Sequence, residues 1–369
     1  MANTTSTQSS TGFLSFNARP PRIWLTSPSA HPPEKTLLAW KDEGFEVSYL
    51  PYTPQEQASY MRTLKTLGQD LQLGETYALL CYGAAATVVL KTATKPLPRC
   101  CAIVAFYPTV LPSPKTKYPS QLQVQVHVAG VSHQVSPPPP PPDEWFADPI
   151  AGQYAEVEAG LAWTRALGCV RRGFQMDVDI EPVVQAAWTA KYEDDVPERG
   201  SVGVVKKMTQ NSPHVTILPT LEGGVGRKKL EEFYCEFFIP SLVEDFDIRL
   251  ISRTIGVDRI VDEMVVSFIH SDEVDWILPG VQATGKNVRI AMVSIVAVRG
   301  GKLVSEHMYW DQASVLVQVG LLDPKVIPQK LKKQGLKRLP VVGAEAAEQL
   351  INPRQEKYNG LLKDHGLLD

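Results

Sequence analysis

The chain has 369 residues, 44% of them hydrophobic, which is too many for one ordinary core and suits two domains. A net charge of −3, from 37 basic and 40 acidic residues, leaves no basic stripe to neutralise phosphates, so nucleic acid is not an expected partner. No run reaches the ~18 apolar residues of a membrane span, and the Ser/Thr-rich residues 1–17 lack the pattern of a signal peptide, so no membrane association and a cytoplasmic location are expected.

Five cysteines (Cys81, Cys100, Cys101, Cys169 and Cys235) show no C-x-x-C spacing, and the seven histidines include no H-x-x-x-H pair. Neither a disulfide framework nor a metal site is expected from them. In chain order, residues 22–27 and 46–50 read as short strands, 55–67 as a helix, and "TYALLCYGAAATVVLKTA" as strand, sharp turn and helix. "CCAIVAFYP" and "QLQVQVHVAG" are further β-rich runs, and a helix near residues 155–167 closes the series. Strand alternating with helix predicts a parallel sheet covered by helices. Six prolines, residues 137–142, interrupt it as an exposed polyproline II segment, either a rigid insertion or a docking site for a proline-reading module. Charged "KYEDDVPERGSVG", residues 191–203, reads as a surface loop.

Beyond about Gln175 the pattern changes. Ile180, Val183, Val184, Ala187, Trp188 and Tyr192 recur at helical spacing, as do Leu230, Phe233, Tyr234, Phe237 and Phe238. Long β-rich runs follow: "RLISRTIG", "RIVDEMVVSFIH", "NVRIAMVSIVAVRG" and "KLVSEHMYWDQ". Helices and then an antiparallel sheet form an α+β signature. The expected layout is a flexible N-terminus over 1–20, an α/β domain over 21–175, an α+β domain over 176–325, and a tail over 326–369. The tail is expected to pack on the body or on the partner subunit of a homodimer.

In "LLCYGAAA", Cys81 stands where a tight turn can expose a nucleophile and where backbone N–H groups at a helix start can face an oxyanion. With the two β-rich runs after it, this segment resembles the dienelactone hydrolase family, whose motif is G-x-C-x-G; here Leu79 stands in place of the first glycine. The resemblance implies a truncated α/β-hydrolase-like domain. It also implies an acid after the second run and a late histidine. "VSHQVSPPPPPP" offers His133 and no carboxylate before Asp143, and "WFADPIAGQYAEVEAG" has no histidine. Cys81 therefore reads either as the degenerate nucleophile of a thiol hydrolase or as a buried structural cysteine.

The second half carries "WILPGVQATGKNV", a long apolar strand, and then "GKLVSEHMYWDQASVLVQVGLLD". Together these resemble the SnoaL-like polyketide cyclases, which share the cone-shaped fold of nuclear transport factor two. The fold this implies is a curved antiparallel sheet with helices over its concave face. A hydrolase-like half joined to a SnoaL-like half also resembles a family of fungal secondary-metabolism proteins.

Along the last strand, strict alternation puts Leu303, Ser305, His307, Tyr309 and Asp311 on one face and Val304, Glu306, Met308 and Trp310 on the other. The resemblance selects the Asp311 face for the pocket and implies that Asp311 is the catalytic acid-base group. From the local sequence, Asp311 is equally an N-cap for the helix that starts at Gln312. His270 ends an apolar row with Met264, Val266 and Phe268 and reads as a second catalytic group or as a satisfied core histidine. Trp276, Tyr309, His307, Phe268 and Ser294 are the expected substrate-binding residues, the two rings Trp276 and Tyr309 serving as flat walls. Arg253 reads as the partner of a neighbouring acid or as a contact to a ligand oxygen, and His214 as a loop residue.

The function these expectations support is cofactor-free, metal-free acid-base cyclisation or isomerisation of a polyketide- or terpenoid-like small molecule. Epoxide opening on the same fold, a non-catalytic ligand-binding protein and thiol hydrolysis at Cys81 are the alternatives.

Overall fold

The structure is a computed structural model that describes residues 19–128, 156–194, 196–354 and 358–367. The proline run and His133 lie outside the described residues, as do residues 1–18. The chain divides into two compact units, Met1–Asp179 and Ile180–Asp369. Among the described residues no helix is long and apolar enough to cross a membrane.

The first unit runs β1 (Arg22–Ser27), α1 (Glu34–Asp42), β2 (Glu46–Pro51), α2 (Gln57–Thr66), β3 (Tyr77–Tyr82), α3 (Gly83–Thr92), β4 (Cys100–Phe106), β5 (Gln123–His127) and α4 (Glu156–Phe174). Its five strands pair in parallel in the order β2-β1-β3-β4-β5, a doubly wound arrangement. Every residue of β3 is buried, as a central strand covered on both faces requires. Helix α4 lies close on β4 because Gly173 has no side chain: a Cβ there would stand 2.7 Å from that of Ala102. One boundary differs from expectation. The strand continues through Cys81 to Tyr82, and the turn falls at Gly83, whose positive φ of 55° suits glycine. Cys81 is thus a residue of the sheet, paired with Thr26 and Ala105, and not a residue of the turn.

The second unit runs α5 (Glu181–Tyr192), α6 (Pro197–Lys207), β6 (His214–Ile217), β7 (Glu222–Val225) and α7 (Arg227–Phe233), which passes into a π-helical turn, Tyr234–Phe238. Four long strands follow, β8 (Asp247–Ile255), β9 (Arg259–Ile269), β10 (Asn287–Arg299) and β11 (Lys302–Trp310), and then α8 (Gln312–Val319), α9 (Gln329–Lys333), α10 (Glu345–Ile351) and α11 (Gly360–Asp364). The sheet order is β7-β6-β11-β10-β9-β8. Strands β8 to β11 are antiparallel neighbours as expected, but β6 joins β11 in parallel, so the sheet is mixed. The long stretch of chain between β6 and β11 is what a parallel pair needs. His214 opens β6, opposite Ser305, and is a strand residue rather than a loop residue.

The charged stretch over 191–203 is also more ordered than its composition suggests. Pro197 takes the first position of α6, where its missing N–H is no loss. Gly200 lets α6 approach α5, since a Cβ there would stand 2.8 Å from the carbonyl oxygen of Ala190. Lys191, at the head of that stretch, is buried. In the tail, α10 packs on β10 and β9, burying Ala347, with Arg289 3.8 Å from Glu348.

The pairing of β10 with β11 contains one bulge. Ser305 faces Ala297 and Leu303 faces Val298, so Val304 has no opposite residue. A bulge reverses the alternation of faces. Leu303, Glu306 and Met308 are all buried on the core side, whereas Tyr309 is 42% exposed.

Candidate functional site

One helix and three strands of the second unit enclose a cavity. Helix α5 contributes Val184, Ala187, Trp188, Lys191 and Tyr192, whose spacing puts them on one helical face. Asp262 and Met264 come from β9, Met292, Ser294 and Val296 from β10, and Leu303, Glu306 and Met308 from β11. The cavity volume is about 20 Å³, room for one water, within a cleft whose empty space out to the mouth is about 390 Å³.

Most of this lining is apolar, and against it stands an ion pair. Lys191 Nζ donates to both carboxylate oxygens of Glu306, at 2.6 Å each, with side-chain exposures of 4% and 5%. Ser294 Oγ donates to Oε1 at 3.2 Å, and Tyr234 Oη to Oε2 at 3.5 Å. The rings of Tyr192, Tyr234 and Phe238 surround the ammonium, with centroids 5.3, 5.9 and 5.8 Å from Nζ. The π-helical turn brings Tyr234 and Phe238 to it, a distortion common at functional sites. Burial and then the charge of Glu306 push the Tyr192 and Tyr234 hydroxyls well above the ordinary tyrosine range. Both phenols therefore remain protonated donors at neutral pH.

A second pair stands on the same wall. Asp262 is the direct cross-strand neighbour of Ser294 on β9. Arg253 on β8 clasps it through Nε at 2.7 Å and Nη2 at 2.9 Å, and reaches Glu181 through Nη1 at 2.7 Å. Its guanidinium lies 5.8 Å from the Trp188 ring centroid. Arg253 is thus tied to acids, as one of the two readings expects.

Of the residues put forward from the sequence, Ser294 is the one that lines this cavity. Asp311 is exposed; its Oδ1 accepts the Ala313 N–H at 3.0 Å and caps α8. The cavity opens on the Glu306 face of β11, opposite to the Asp311 face that the resemblance selected, and the bulge at Val304 brings Leu303 onto the Glu306 side as well. His307 and Tyr309 occupy the other face, His307 5.5 Å from His214 between ring centroids. Burial, and next the neighbouring His214, lower the His307 pKa.

His270 is fully buried just beyond β9. Its Nδ1 accepts the Thr284 backbone N–H at 3.3 Å and lies 3.0 Å from Thr284 Oγ1, which suits a neutral ring, and burial lowers its pKa. Trp276 is 1% exposed, edge-on to Trp310 at 5.8 Å and 4.7 Å from Phe238. Phe268 stacks on Phe246 at 5.7 Å. These three hold the core together and do not line the cavity described above. In the first unit, Cys81 is fully buried, its Sγ donating to the Val104 carbonyl at 3.4 Å, and burial pushes its thiol far up.

Lys191, Glu306, Tyr234, Tyr192 and Asp262 are the polar groups that sequence reasoning missed as a site. The signal for Lys191 was its place on the stripe Val184, Ala187, Trp188, where a cation needs a reason to stand.

Neither a protein-family model nor a curated protein matches the chain. Among solved structures it is similar to a protein with a ketosteroid isomerase-like fold from Catenulispora acidiphila DSM 44928, in complex with trimethylamine, at 16% identity and a TM-score of 0.29, over 40% of this chain and 97% of that one. A proposed SnoaL-like polyketide cyclase from Jannaschia sp. CCS1 gives 13% identity and a TM-score of 0.33, over 40% of this chain and 98% of that one. IdmH, a proposed polyketide cyclase from Streptomyces antibioticus, gives 16% and 0.30, over 39% and 99%. Matches of this strength leave the cavity's own residues to carry the functional reading.

Proposed function

We propose that the second unit takes an apolar, oxygenated small molecule, polyketide- or terpenoid-like, and moves a proton on it without a cofactor, so as to cyclise or isomerise it. The observation that carries this reading is Glu306, buried with Lys191 at 2.6 Å in the wall of a mostly apolar cavity. The resemblance of "WILPGVQATGK" and "WDQ" to the SnoaL-like cyclases supports it.

In this reading Glu306 removes a proton from carbon beside a carbonyl. The Lys191 ammonium stabilises the oxygen that becomes charged, while the Tyr234 hydroxyl holds Glu306 from outside the cavity lining. Glu306 then returns the proton at another atom, so no electrons are exchanged with a partner. Asp262, clasped by Arg253, is a positioning residue that keeps β8 and β9 in register under the cavity.

Deuterium exchange at the α-carbon of an aryl β-ketoester, followed with the full chain, tests this. Glu306→Gln is expected to slow exchange by ~10²–10⁴, the share of one general acid-base group. Epoxide opening at the same carboxylate would instead leave heavy oxygen from labelled water in the product. A second reading, a binding protein, draws on the ion pair itself, which holds the Glu306 carboxylate on Lys191 at 2.6 Å. Saturable binding of the ketoester with exchange no faster than in buffer would decide for it.

A further inference from the structure

We infer that Lys191 is an amine nucleophile that captures an aldehyde or ketone in this cavity as a Schiff base. The inference deepens the proposed function: it rests on the same cavity and names carbonyl compounds as the class taken there. Three observations converge on it. Lys191 lines the cavity from α5 with a side-chain exposure of 4%, so its ammonium has little hydration to lose when it reacts. Its Nζ stands 2.6 Å from each oxygen of Glu306, within reach for a direct proton transfer. The three rings at 5.3 to 5.9 Å from Nζ favour a cation at that point whatever it carries. An ion pair that served the fold alone would need no opening onto a cavity.

The step balances within the site. Proton transfer from Nζ to Glu306 gives a neutral amine and a neutral acid, and frees the nitrogen lone pair to react. The nitrogen lone pair attacks the carbonyl carbon, a C–N bond forms, and the π electrons move to oxygen. A proton passes from nitrogen to that oxygen to give a carbinolamine. The Glu306 acid then protonates the hydroxyl, the C–O bond breaks, and water leaves. The result is an iminium at Nζ beside a Glu306 carboxylate, the same charge pattern that the resting pair already has. The wall built for ammonium and carboxylate is therefore built for the product too, and nothing is oxidised or reduced.

The probe is acetaldehyde, supplied to the full chain at neutral pH with sodium borohydride added afterwards. Hydride from the borohydride reduces the iminium carbon and leaves an ethyl group on the lysine, which peptide mass spectrometry locates. Labelling at Lys191 about tenfold or more faster than at exposed lysines is expected, because a desolvated amine beside its own base needs no deprotonation by bulk water. Glu306→Gln should slow labelling at Lys191 by about tenfold while the exposed lysines label as before. Labelling confined to exposed lysines in the parent chain overturns the inference, and so does a Glu306→Gln rate at Lys191 equal to the parent's. Should that variant fail to fold, the parent pattern still decides. Ketoester exchange that depends on Glu306, without a label at Lys191, removes the Schiff base and leaves the proposed function standing. A label at Lys191 without exchange does the opposite.

Discussion

Both units bury a group capable of chemistry, and they bury it differently. In the first, Cys81 sits inside a central strand with a backbone carbonyl as its partner, and burial pushes the thiol far up and silences it. In the second, Glu306 is equally buried, but a cation, two hydroxyls and a cavity share its surroundings. Burial alone inactivates an ionisable group, whereas burial with a counter-charge and an opening keeps it ready for use.

The sharpest way to break that contrast is to take away the counter-charge. Lys191→Met leaves Glu306 buried and unpaired, which should cost about 3–5 kcal/mol of stability. Adding Glu306→Gln to it should recover most of that loss, as denaturant titration of the two variants would show. Full stability in the single variant would mean that the pair is no pair in solution. Next in size is the rate effect of Glu306→Gln on ketoester exchange, ~10²–10⁴, with Asp311→Asn as the control that leaves the rate unchanged. An Asp311→Asn variant as slow as Glu306→Gln would return the chemistry to the other face of β11.

Acid bears on both units, through buried neutral histidines. His127 in the first unit is held down to about 4, by burial first and by Arg165 second. The unfolded chain takes up the proton near 6.5 and the folded one only near 4, so the unfolded state binds more protons in between. Stability from this group is complete above about 6.5 and falls as pH drops towards 4, by on the order of 3 kcal/mol once the pH is below both values. His270 acts in the same direction in the second unit. Replacing His127 by Gln should flatten the fall in melting temperature between pH 6.5 and 4, and an unchanged slope would show that the ring is not buried neutral. Smaller still, Cys81→Ala should cost about 1–2 kcal/mol for the lost sulfur and leave exchange untouched. A thiol reagent should reach Cys81 only on unfolding. Smallest, Asp311→Ala should cost about 1 kcal/mol as a lost cap, and Asp311→Asn almost nothing.

Much of this was legible in advance. The four long strands, the helix Gln312–Val319 and its cap at Asp311 follow from local chemistry: alternation, an N-cap residue, an apolar helical stripe and a C-terminal glycine at Gly320. The parallel strands of the first unit follow from alternating element types. What was not legible depends on more than one segment at a time. Leu303 shares the cavity face with Glu306 because of a bulge formed only when β11 meets β10. Lys191 looked like the edge of a charged loop because its partner stands 115 residues away. The helix over "PERGSVG" exists because α5 offers Gly200 a close seat, which the composition of the stretch hides. The parallel pairing of β6 with β11 is a choice of neighbour that no local pattern encodes.

The bulge at Val304 has a consequence for how the chain can vary. It lies between the Gly300–Gly301 hairpin and Glu306, and it already absorbs one residue too many. Loss of Val304 would restore regular alternation and leave Glu306 and Met308 facing inward, because their pairing with Val296 and Ser294 lies on the far side of the bulge. A deletion between Glu306 and Trp310 has no such slack and would turn one end of the strand over. The hairpin end is therefore open to insertion and deletion across descendants of this sequence, while the segment from Glu306 to Trp310 is held to a fixed length.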